Sequence, residues 1–181
     1  MQRSLSNGFR PPRVFDMIRE VREEFKTPVV VMTYYNPVLQ MGLEEFCNRL
    51  ADCGGDGLLV VDLPPEESSE LDTFASREGL DMIRLITPST TRERLRSILT
   101  TASGFVYAVS VAGTTGIREA LQKGSIHVVQ DVREESDIPV VLGFGISSPE
   151  HVKKAIKGGA SGVVEGSKII SLYESLQDKE A

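Results

Sequence analysis

Long apolar runs and a secretion signal are both missing from the sequence. No run of apolar residues approaches the roughly 20 that are needed to cross a bilayer. The opening segment, MQRSLSNGFRPP, has no apolar core of the kind that a secretory signal carries. We therefore expect no membrane segment.

Positive charge and cysteine are also scarce. The 20 Lys and Arg residues are outnumbered by 26 Asp and Glu, for a net charge of −6, whereas a nucleic-acid surface needs clustered cations. The two cysteines, Cys47 and Cys53, lie on different faces of a predicted helix, which argues against a disulfide or a metal pair. The sequence predicts no nucleic-acid partner and a reduced, cytoplasmic protein.

Histidine is limited to His127 and His151, both in helical patterns that we expect to face solvent. None of the predicted strands carries a histidine, whereas a metal-dependent epimerase would need such ligands at its strand ends. Neither G-x-x-x-x-G-K-[ST] nor G-x-G-x-x-G occurs in the sequence. We predict no metal site and no classical nucleotide-binding loop.

Short apolar runs alternate regularly with amphipathic stretches along all 181 residues. The runs are rich in Val, Ile and Leu and nearly continuous, as parallel strands covered on both faces are. No linker interrupts the series, so we expect a single α/β domain over residues 1–181, either a doubly wound sheet or a (β/α) barrel. The predicted strands are Val29–Met32, Leu58–Val61, Met82–Ile86, Phe105–Val109, Val140–Leu142 and Gly162–Val164.

Glycines follow three of these strands, in the segments SVAGTTGIRE, GFGISSPE and VVEGSKII. Glycine lets backbone N–H groups approach a ligand, and a following helix N-terminus adds partial positive charge. Barrel enzymes often hold a phosphate in the loops after their last two strands. The segments predict a phosphate cradle; the alternative is that the glycines only make tight turns.

Five segments carry a resemblance to one known family. PVVVMTYYNPV, GLLVVDLPPEES, FVYAVSVAGTTG, VVLGFGISSPEHV and GASGVVEGSKII occur in this order, and together they resemble the tryptophan synthase alpha chain over essentially the whole sequence. The resemblance implies a (β/α)8 TIM barrel that cleaves indole-3-glycerol phosphate to indole and glyceraldehyde 3-phosphate. It also implies an alpha2beta2 complex in which the beta chain carries pyridoxal phosphate, with no cofactor in this chain.

The resemblance further implies roles for individual residues. The phosphate would be bound by Gly116, Gly145, Gly166 and Ser167. Tyr34 and Asp62 match positions near the indole ring and its partner carboxylates, and Leu59 matches a further substrate-binding position.

Three more positions complete the implied site. Tyr107 matches a tyrosine beside the reacting glycerol, and Asn36 and Pro37 match a loop that lies against the beta chain. Alternative interpretations stay open: Tyr34 and Tyr107 as strand-end aromatics, and Asp62 as the cap of a helix that begins near Pro65.

The family's catalytic Glu and Asp have no counterpart in this sequence. In the family they belong to βα units that precede the matched segments, so the resemblance implies an incomplete barrel of about six units with no catalytic residue retained. Among the carboxylates present, Glu66 and Glu67 suit the first turn of a helix, and Glu165 directly precedes the last glycine loop. A real truncation, a misplaced start and a fragment stay open as explanations.

An incomplete barrel would leave the strands Val29–Met32 and Gly162–Val164 with exposed apolar edges. We expect the isolated chain to be poorly soluble or to be completed by another polypeptide. Three functions remain: the lyase subunit, a non-catalytic remnant that binds phosphate or the beta chain, and another phosphate-binding barrel such as a sugar-phosphate isomerase or epimerase.

Overall fold

The computed structural model describes Gly8 and residues 10–109, 117–143 and 146–180, with the backbone alone for residues 117–125 and 177–180. The chain divides into two compact units, the first ending at Ile83 and the second beginning at Arg84. Every strand pairing in either unit is parallel. The single-domain interpretation stays a prediction.

The first unit is a three-stranded sheet with helices between its strands. In chain order its elements are α1 (Arg13–Glu24), β1 (Val30–Thr33), α2 (Tyr35–Met41), α3 (Leu43–Asp52), β2 (Gly57–Val60), a 3-10 turn (Pro65–Glu67), α4 (Ser69–Arg77) and β3 (Asp81–Met82). The strand order is β1-β2-β3. Val30 lies opposite Gly57 and Thr33 opposite Val60.

The core of the first unit lies between this sheet and its helices. The rings of Phe15 and Phe46 pack edge to face with centroids 5.5 Å apart. Other buried members of the same cluster are Ile18, Val38, Cys47, Leu50, Leu58, Val60, Leu71 and Ala75. Cys47 and Cys53 are buried free thiols.

Arg22 anchors α1 to two loops of the first unit. Its Nε donates to the carbonyl of Gly54 at 2.6 Å, and its Nη1 donates to the carbonyl of Thr27 at 2.7 Å. Its Nη2 pairs with Asp56, whose Oδ2 also accepts from the backbone N of Val29 at 2.6 Å. A Cβ on Gly54, where φ is +90°, would lie 2.9 Å from Cγ of Arg22. Glycine is therefore favoured at residue 54 by both its backbone conformation and its packing.

The second unit is a four-stranded sheet with the order β4-β5-β6-β7. Its elements are β4 (Arg84–Ile86), α5 (Arg92–Leu99), β5 (Val106–Val109), α6 (Ile117–Glu135), β6 (Val140–Gly143), α7 (Pro149–Lys157), β7 (Gly162–Val163) and α8 (Ser167–Glu180). Its core contains Ile86, Leu95, Ile98, Val106, Ala108, Val129, Val132, Val140, Leu142 and Ala155.

Charged side chains connect α5 and α6 at the surface of the second unit. Nε and Nη2 of Arg96 each donate to one carboxylate oxygen of Glu135, both at 2.8 Å. Arg92 pairs with Glu134 at 2.7 Å. The Arg96 guanidinium lowers the pKa of Glu135 below its ordinary value, chiefly through these hydrogen bonds.

One predicted strand differs from the structure. The run Met82–Ile86 is divided between β3, which pairs with β2, and β4, which pairs with β5. The backbone N of Ile83 still donates to Leu58 at 2.9 Å, so the change of partner falls between Ile83 and Arg84. An apolar run predicts a buried extended segment, but it does not say which strand each half pairs with.

The strands β1 and β7 are edge strands, as predicted. In the described parts of the chain, β1 and β7 each have a neighbouring strand on one side only. Met32 of β1 is 51% exposed.

A row of apolar side chains at helical spacing on α8 is also exposed, each by 50–62%. We call its four residues, Ile169, Leu172, Tyr173 and Leu176, the α8 stripe. Within the described ranges, no helix has the length and hydropathy that a membrane span requires.

Candidate functional site

Asp62 connects the ends of the first two strands. The backbone N of Val61 donates to the carbonyl of Thr33 at 3.0 Å, which extends the β1–β2 pairing by one step. One residue further along, Oδ1 of Asp62 accepts from the backbone N of Tyr35 at 2.7 Å. Asp62 thus caps α2. The alternative in which it caps a helix near Pro65 is wrong, because its carboxylate is directed to the segment that follows β1.

The segment that contains Asn36 and Pro37 is helical. We expected a loop there, but both residues lie in the first turn of α2, with Tyr34 as the preceding cap residue. Proline is tolerated in a first turn because the N–H that it lacks would have no partner inside the helix. Tyr34 is 51% exposed and directly follows β1, and Leu39 of the same helix is also 51% exposed.

Leu59 and Tyr107 lie on the faces of their sheets that point away from the helices. In β2, Leu58 and Val60 belong to the core between the sheet and its helices. Leu59, between them in sequence, is also buried but is not a member of that core. Tyr107 occupies the same position relative to the second unit's core. Alternation along a strand explains both placements.

The phenol of Tyr107 packs directly against Gly143. The two residues lie on adjacent strands, where Tyr107 pairs with Val141 and Val109 pairs with Gly143. A Cβ on Gly143 would overlap the Tyr107 hydroxyl and the ring carbons next to it. Burial raises the pKa of the Tyr107 hydroxyl, so the phenol stays protonated at neutral pH.

Sequence reasoning missed the role of Gly143. The resemblance implies a phosphate contact at Gly145, the second glycine of the Gly-Phe-Gly segment, and implies no function for the first. The feature that could have indicated this role is the pairing of a strand that contains a tyrosine with a strand that ends in glycine. That pairing becomes visible only when the register is known.

The glycine loop before α8 is partly described. Ser167 is the first residue of α8, as expected, and the carbonyl of Gly166 accepts from the backbone N of Ile170 at 3.1 Å. A Cβ on Gly166 would meet no atom of the described residues within 4 Å. This open space beside a helix N-terminus fits the approach of an anion. Gly116 and Gly145 lie outside the described residues.

Ser148 and Pro149 form the start of α7. The Ser148 side chain accepts from the backbone N of His151, and Pro149 occupies the first helical position. Both are favoured at these positions. The cap fixes the end of the segment that follows β6.

The remaining candidates do not form a second site. Glu66 and Glu67 lie in the 3-10 turn that precedes α4, where a continuous helix was expected. His127 is exposed on α6, and His151 is half-buried on α7. Among the described residues, no group of His, Cys, Asp or Glu could hold a metal ion.

The site residues therefore fall into two groups. In the first unit, Asp62 contacts the backbone of Tyr35, which lies between Tyr34 and Asn36 in sequence. In the second unit, Tyr107 is brought against the end of β6, and Gly166 and Ser167 follow β7. Tyr34, Asp62, Gly166 and Ser167 all lie beyond the C-terminal ends of their strands, the end at which barrel enzymes bind ligands.

A family model described as "Tryptophan synthase alpha chain" matches residues 1–181. The tryptophan synthase alpha chain of Geobacter sulfurreducens is 44% identical over 173 residues, which cover 96% of this chain and 65% of that one. The alpha chain of Carboxydothermus hydrogenoformans is 43% identical over 174 residues, with the same two coverages. The chain thus spans less than two thirds of the length of these relatives.

Solved structures give the same result. A tryptophan synthase a2b2 complex from Pyrococcus furiosus matches with a TM-score of 0.89 and 39% identity, covering 96% of this chain and 70% of that one. Another tryptophan synthase complex from that organism matches with a TM-score of 0.88 and 36% identity, covering 96% and 69%. The predicted fold class, an α/β fold of the (β/α)8 TIM-barrel family, is confirmed. The chain belongs to the tryptophan synthase alpha chain family.

Proposed function

We propose that this chain forms the substrate-binding part of a tryptophan synthase alpha subunit. The activity is a carbon–carbon lyase reaction that cleaves indole-3-glycerol phosphate to indole and glyceraldehyde 3-phosphate. The observation that carries this proposal is the match of the family model to all 181 residues. The positions of Tyr34, Asp62, Gly166 and Ser167 beyond their strand ends support it.

The phosphate is proposed to bind at the start of α8. Gly166 leaves room for a ligand beside its backbone, and the exposed Ser167 begins the helix. The free N–H groups of a helix's first turn and its partial positive charge favour a dianion. Gly116 and Gly145 are proposed to add further contacts on the strength of the family resemblance.

The indole and glycerol parts are proposed to lie against Tyr34, Leu59, Asp62 and Tyr107. Cleavage requires protonation of indole C3 and removal of the proton from the glycerol hydroxyl next to the scissile bond. The bond to C3 then breaks, the hydroxyl carbon becomes the aldehyde, and the bonding electrons return to the indole ring. Tyr107, held protonated by burial, can position the glycerol but does not supply a base at neutral pH.

A polypeptide of these 181 residues alone is proposed to show little turnover. The family's catalytic Glu and Asp have no counterparts here, and Glu66 and Glu67 occupy the 3-10 turn that precedes α4. Glu165 directly precedes Gly166, so its backbone belongs to the proposed phosphate loop. The proton transfers therefore need groups outside these residues.

The partner is proposed to be a tryptophan synthase beta chain in an alpha2beta2 complex. Asn36 and Pro37 in the first turn of α2 are its proposed contacts, and Asn36 is exposed. Pyridoxal phosphate is proposed to reside in that partner, with no cofactor in this chain. The proposed location is the cytoplasm, where the free thiols Cys47 and Cys53 would stay reduced.

A chimaeric protein tests the proposal. The matched part of the Geobacter sulfurreducens alpha chain, 44% identical, is replaced by this chain, and cleavage of indole-3-glycerol phosphate is measured with and without beta chain. We expect turnover by the chimaera and little by the 181-residue polypeptide. Ser167→Ala in the chimaera should raise KM more than it lowers kcat, since the phosphate is not the reacting centre.

A chimaera that folds and binds beta chain but does not cleave the substrate would refute the lyase proposal. It would favour the non-catalytic remnant. Ser171→Ala on α8 is the matched control, because it removes a hydroxyl from the same helix one turn beyond the proposed phosphate contact. Its KM should equal that of the unmodified chimaera.

A further inference from the structure

The hydrogen bond from Tyr35 to Asp62 joins two segments to which the proposed function gives different tasks. Asp62 follows β2 on the proposed indole side, and Tyr35 begins the helix that carries Asn36 on the proposed beta-chain side. Oδ1 of Asp62 accepts from the backbone N of Tyr35 at 2.7 Å. The distance falls within the range of charge-assisted hydrogen bonds to a carboxylate.

We propose that Asp62 is a positioning residue that holds the N-terminus of α2 and thereby couples the substrate side of the first unit to its partner-binding helix. The proposal rests on the proposed function and deepens it, because it assigns the coupling between the two sides to one carboxylate. It gives Asp62 a task beyond contact with the indole.

The short helix α2 depends on an external cap. It spans only Tyr35–Met41, and its own cap residue, Tyr34, makes no side-chain hydrogen bond to it. A helix of two turns is not stable by itself in water. Asp62 satisfies the first free N–H and places a negative charge at the positive end of the helix.

The strand register makes this contact possible. Thr33 pairs with Val60, and the backbone N of Val61 donates to Thr33. Continued in the same register, residue 62 lies beside residue 35. The hydrogen bond from Tyr35 to Asp62 therefore continues the β1–β2 pairing beyond the ends of the two strands.

The outer face of α2 is suited to a protein partner. Asn36 is exposed, and Leu39, one turn further along, is 51% exposed. The inner face is fixed by Val38, which is fully buried in the core. A beta chain that docks on Asn36 and Leu39 would bind more weakly if the first turn of α2 were disordered, because ordering it would then cost free energy on binding.

The test compares Asp62→Asn with Asp62→Ala in this chain, by amide exchange at Tyr35 and by affinity for the beta chain. An asparagine Oδ1 still accepts the Tyr35 N–H, whereas alanine cannot. We expect Asp62→Ala to accelerate amide exchange at Tyr35 by roughly fivefold or more, the factor that a lost cap of about average strength implies. Beta-chain affinity should fall by a similar factor, and Asp62→Asn should retain most of both.

Thr91→Ala is the matched control. Thr91 caps α5 in the second unit by accepting from the backbone N of Arg94, so this variant loses a comparable helix cap and should lose comparable thermal stability. A merely structural role for Asp62 predicts that Thr91→Ala and Asp62→Ala weaken beta-chain binding equally. The coupling proposal predicts that only Asp62→Ala does.

Three outcomes would overturn the coupling. An unchanged rate of amide exchange at Tyr35 in Asp62→Ala would show that Asp62 does not hold the start of α2. An unchanged affinity for the beta chain would show that this hydrogen bond does not affect the partner. If Asp62→Asn and Asp62→Ala lose kcat equally and keep normal affinity for the beta chain, Asp62 acts only through its negative charge at the indole. Failure of the unmodified chain to bind beta chain would contradict the proposed function instead, and amide exchange at Tyr35 would still decide whether Asp62 holds the start of α2.

Discussion

At the scale of single residues, close packing explains why particular side chains cannot vary independently. Gly143 has no room for a Cβ because the Tyr107 phenol occupies that space. The glycine is thus fixed by a neighbour on the adjacent strand, and its own backbone conformation is not the reason. Such pairs should show strong non-additivity when both members are changed.

Gly143→Ala should destabilise the protein by roughly 1–3 kcal/mol, the usual cost of forcing a methyl group into a filled space. Tyr107→Val in the same protein should recover part of that loss. Tyr107→Phe should recover little, because ring carbons as well as the hydroxyl would overlap the new methyl group. Thermal unfolding of the two single variants and the two double variants measures the coupling. Additive losses in the Val pair would contradict the packing described here.

Burial should protect Cys47 from alkylation. The side chain is fully buried, and desolvation raises the pKa of its thiol to about 11, so little reactive thiolate is present near pH 8. Cys53 is also buried, and desolvation raises its thiol pKa as well. We expect iodoacetamide to label neither thiol in the folded protein and both in denaturant, as read by mass spectrometry. Rapid labelling of native Cys47 would contradict this placement.

At the scale of helices and strands, ion pairs between α5 and α6 make stability depend on pH. Arg96 lowers the pKa of Glu135 below its ordinary value of 4.5. A carboxylate with a depressed folded-state pKa stabilises the fold above its unfolded pKa, and this contribution is lost as the pH falls through the folded value. The Arg96 side chain is 64% exposed, so solvent screens the pair and its effect is small.

Arg96→Ala should lower the melting temperature by a few degrees or less at pH 7. The difference from the unmodified protein should shrink as the pH falls below 4.5, since protonated Glu135 no longer attracts a cation. Lys153→Ala, which removes a cation from α7, provides the comparison. A constant difference between pH 7 and pH 3 would show that Arg96 acts through packing alone.

The elements themselves were largely predictable, and the misses have physical causes. Most strands were found within about a residue of their ends because both faces of a parallel strand are buried, which gives unbroken apolar runs. The helix Tyr35–Met41 was missed, because Asn-Pro suggests a turn unless an outside group caps it. Asp62 is that group, 27 residues away in sequence. Local patterns carry no information about such a partner.

At the scale of the whole molecule, exposed apolar surface is the dominant feature. The α8 stripe places Ile169, Leu172, Tyr173 and Leu176 at successive helical turns with half or more of each side chain exposed. Folded monomers rarely expose contiguous apolar surface of this kind. The surface makes association the expected behaviour of the isolated chain.

Leu172→Glu with Leu176→Glu should reduce concentration-dependent association of the 181-residue chain, as measured by sedimentation velocity. Charges within the stripe would have to be desolvated on contact, which is costly. Ser171→Glu with Ser175→Glu adds the same charge to α8 outside the stripe and should reduce association less. Equal effects of the two pairs would mean that net charge, rather than the α8 stripe, controls association.

Arg22 also has a consequence for the order in which the chain can fold as it is synthesised. Its contacts with Gly54 and Asp56 span 32 and 34 residues, and each must await closure of the intervening segment. On the ribosome, α1 therefore emerges well before the loop that secures it. The helix stays without this anchor until α3 and the turn after it have left the exit tunnel, so a translational pause before Asp56 would prolong the exposure of Phe15 and Ile18 to chaperones.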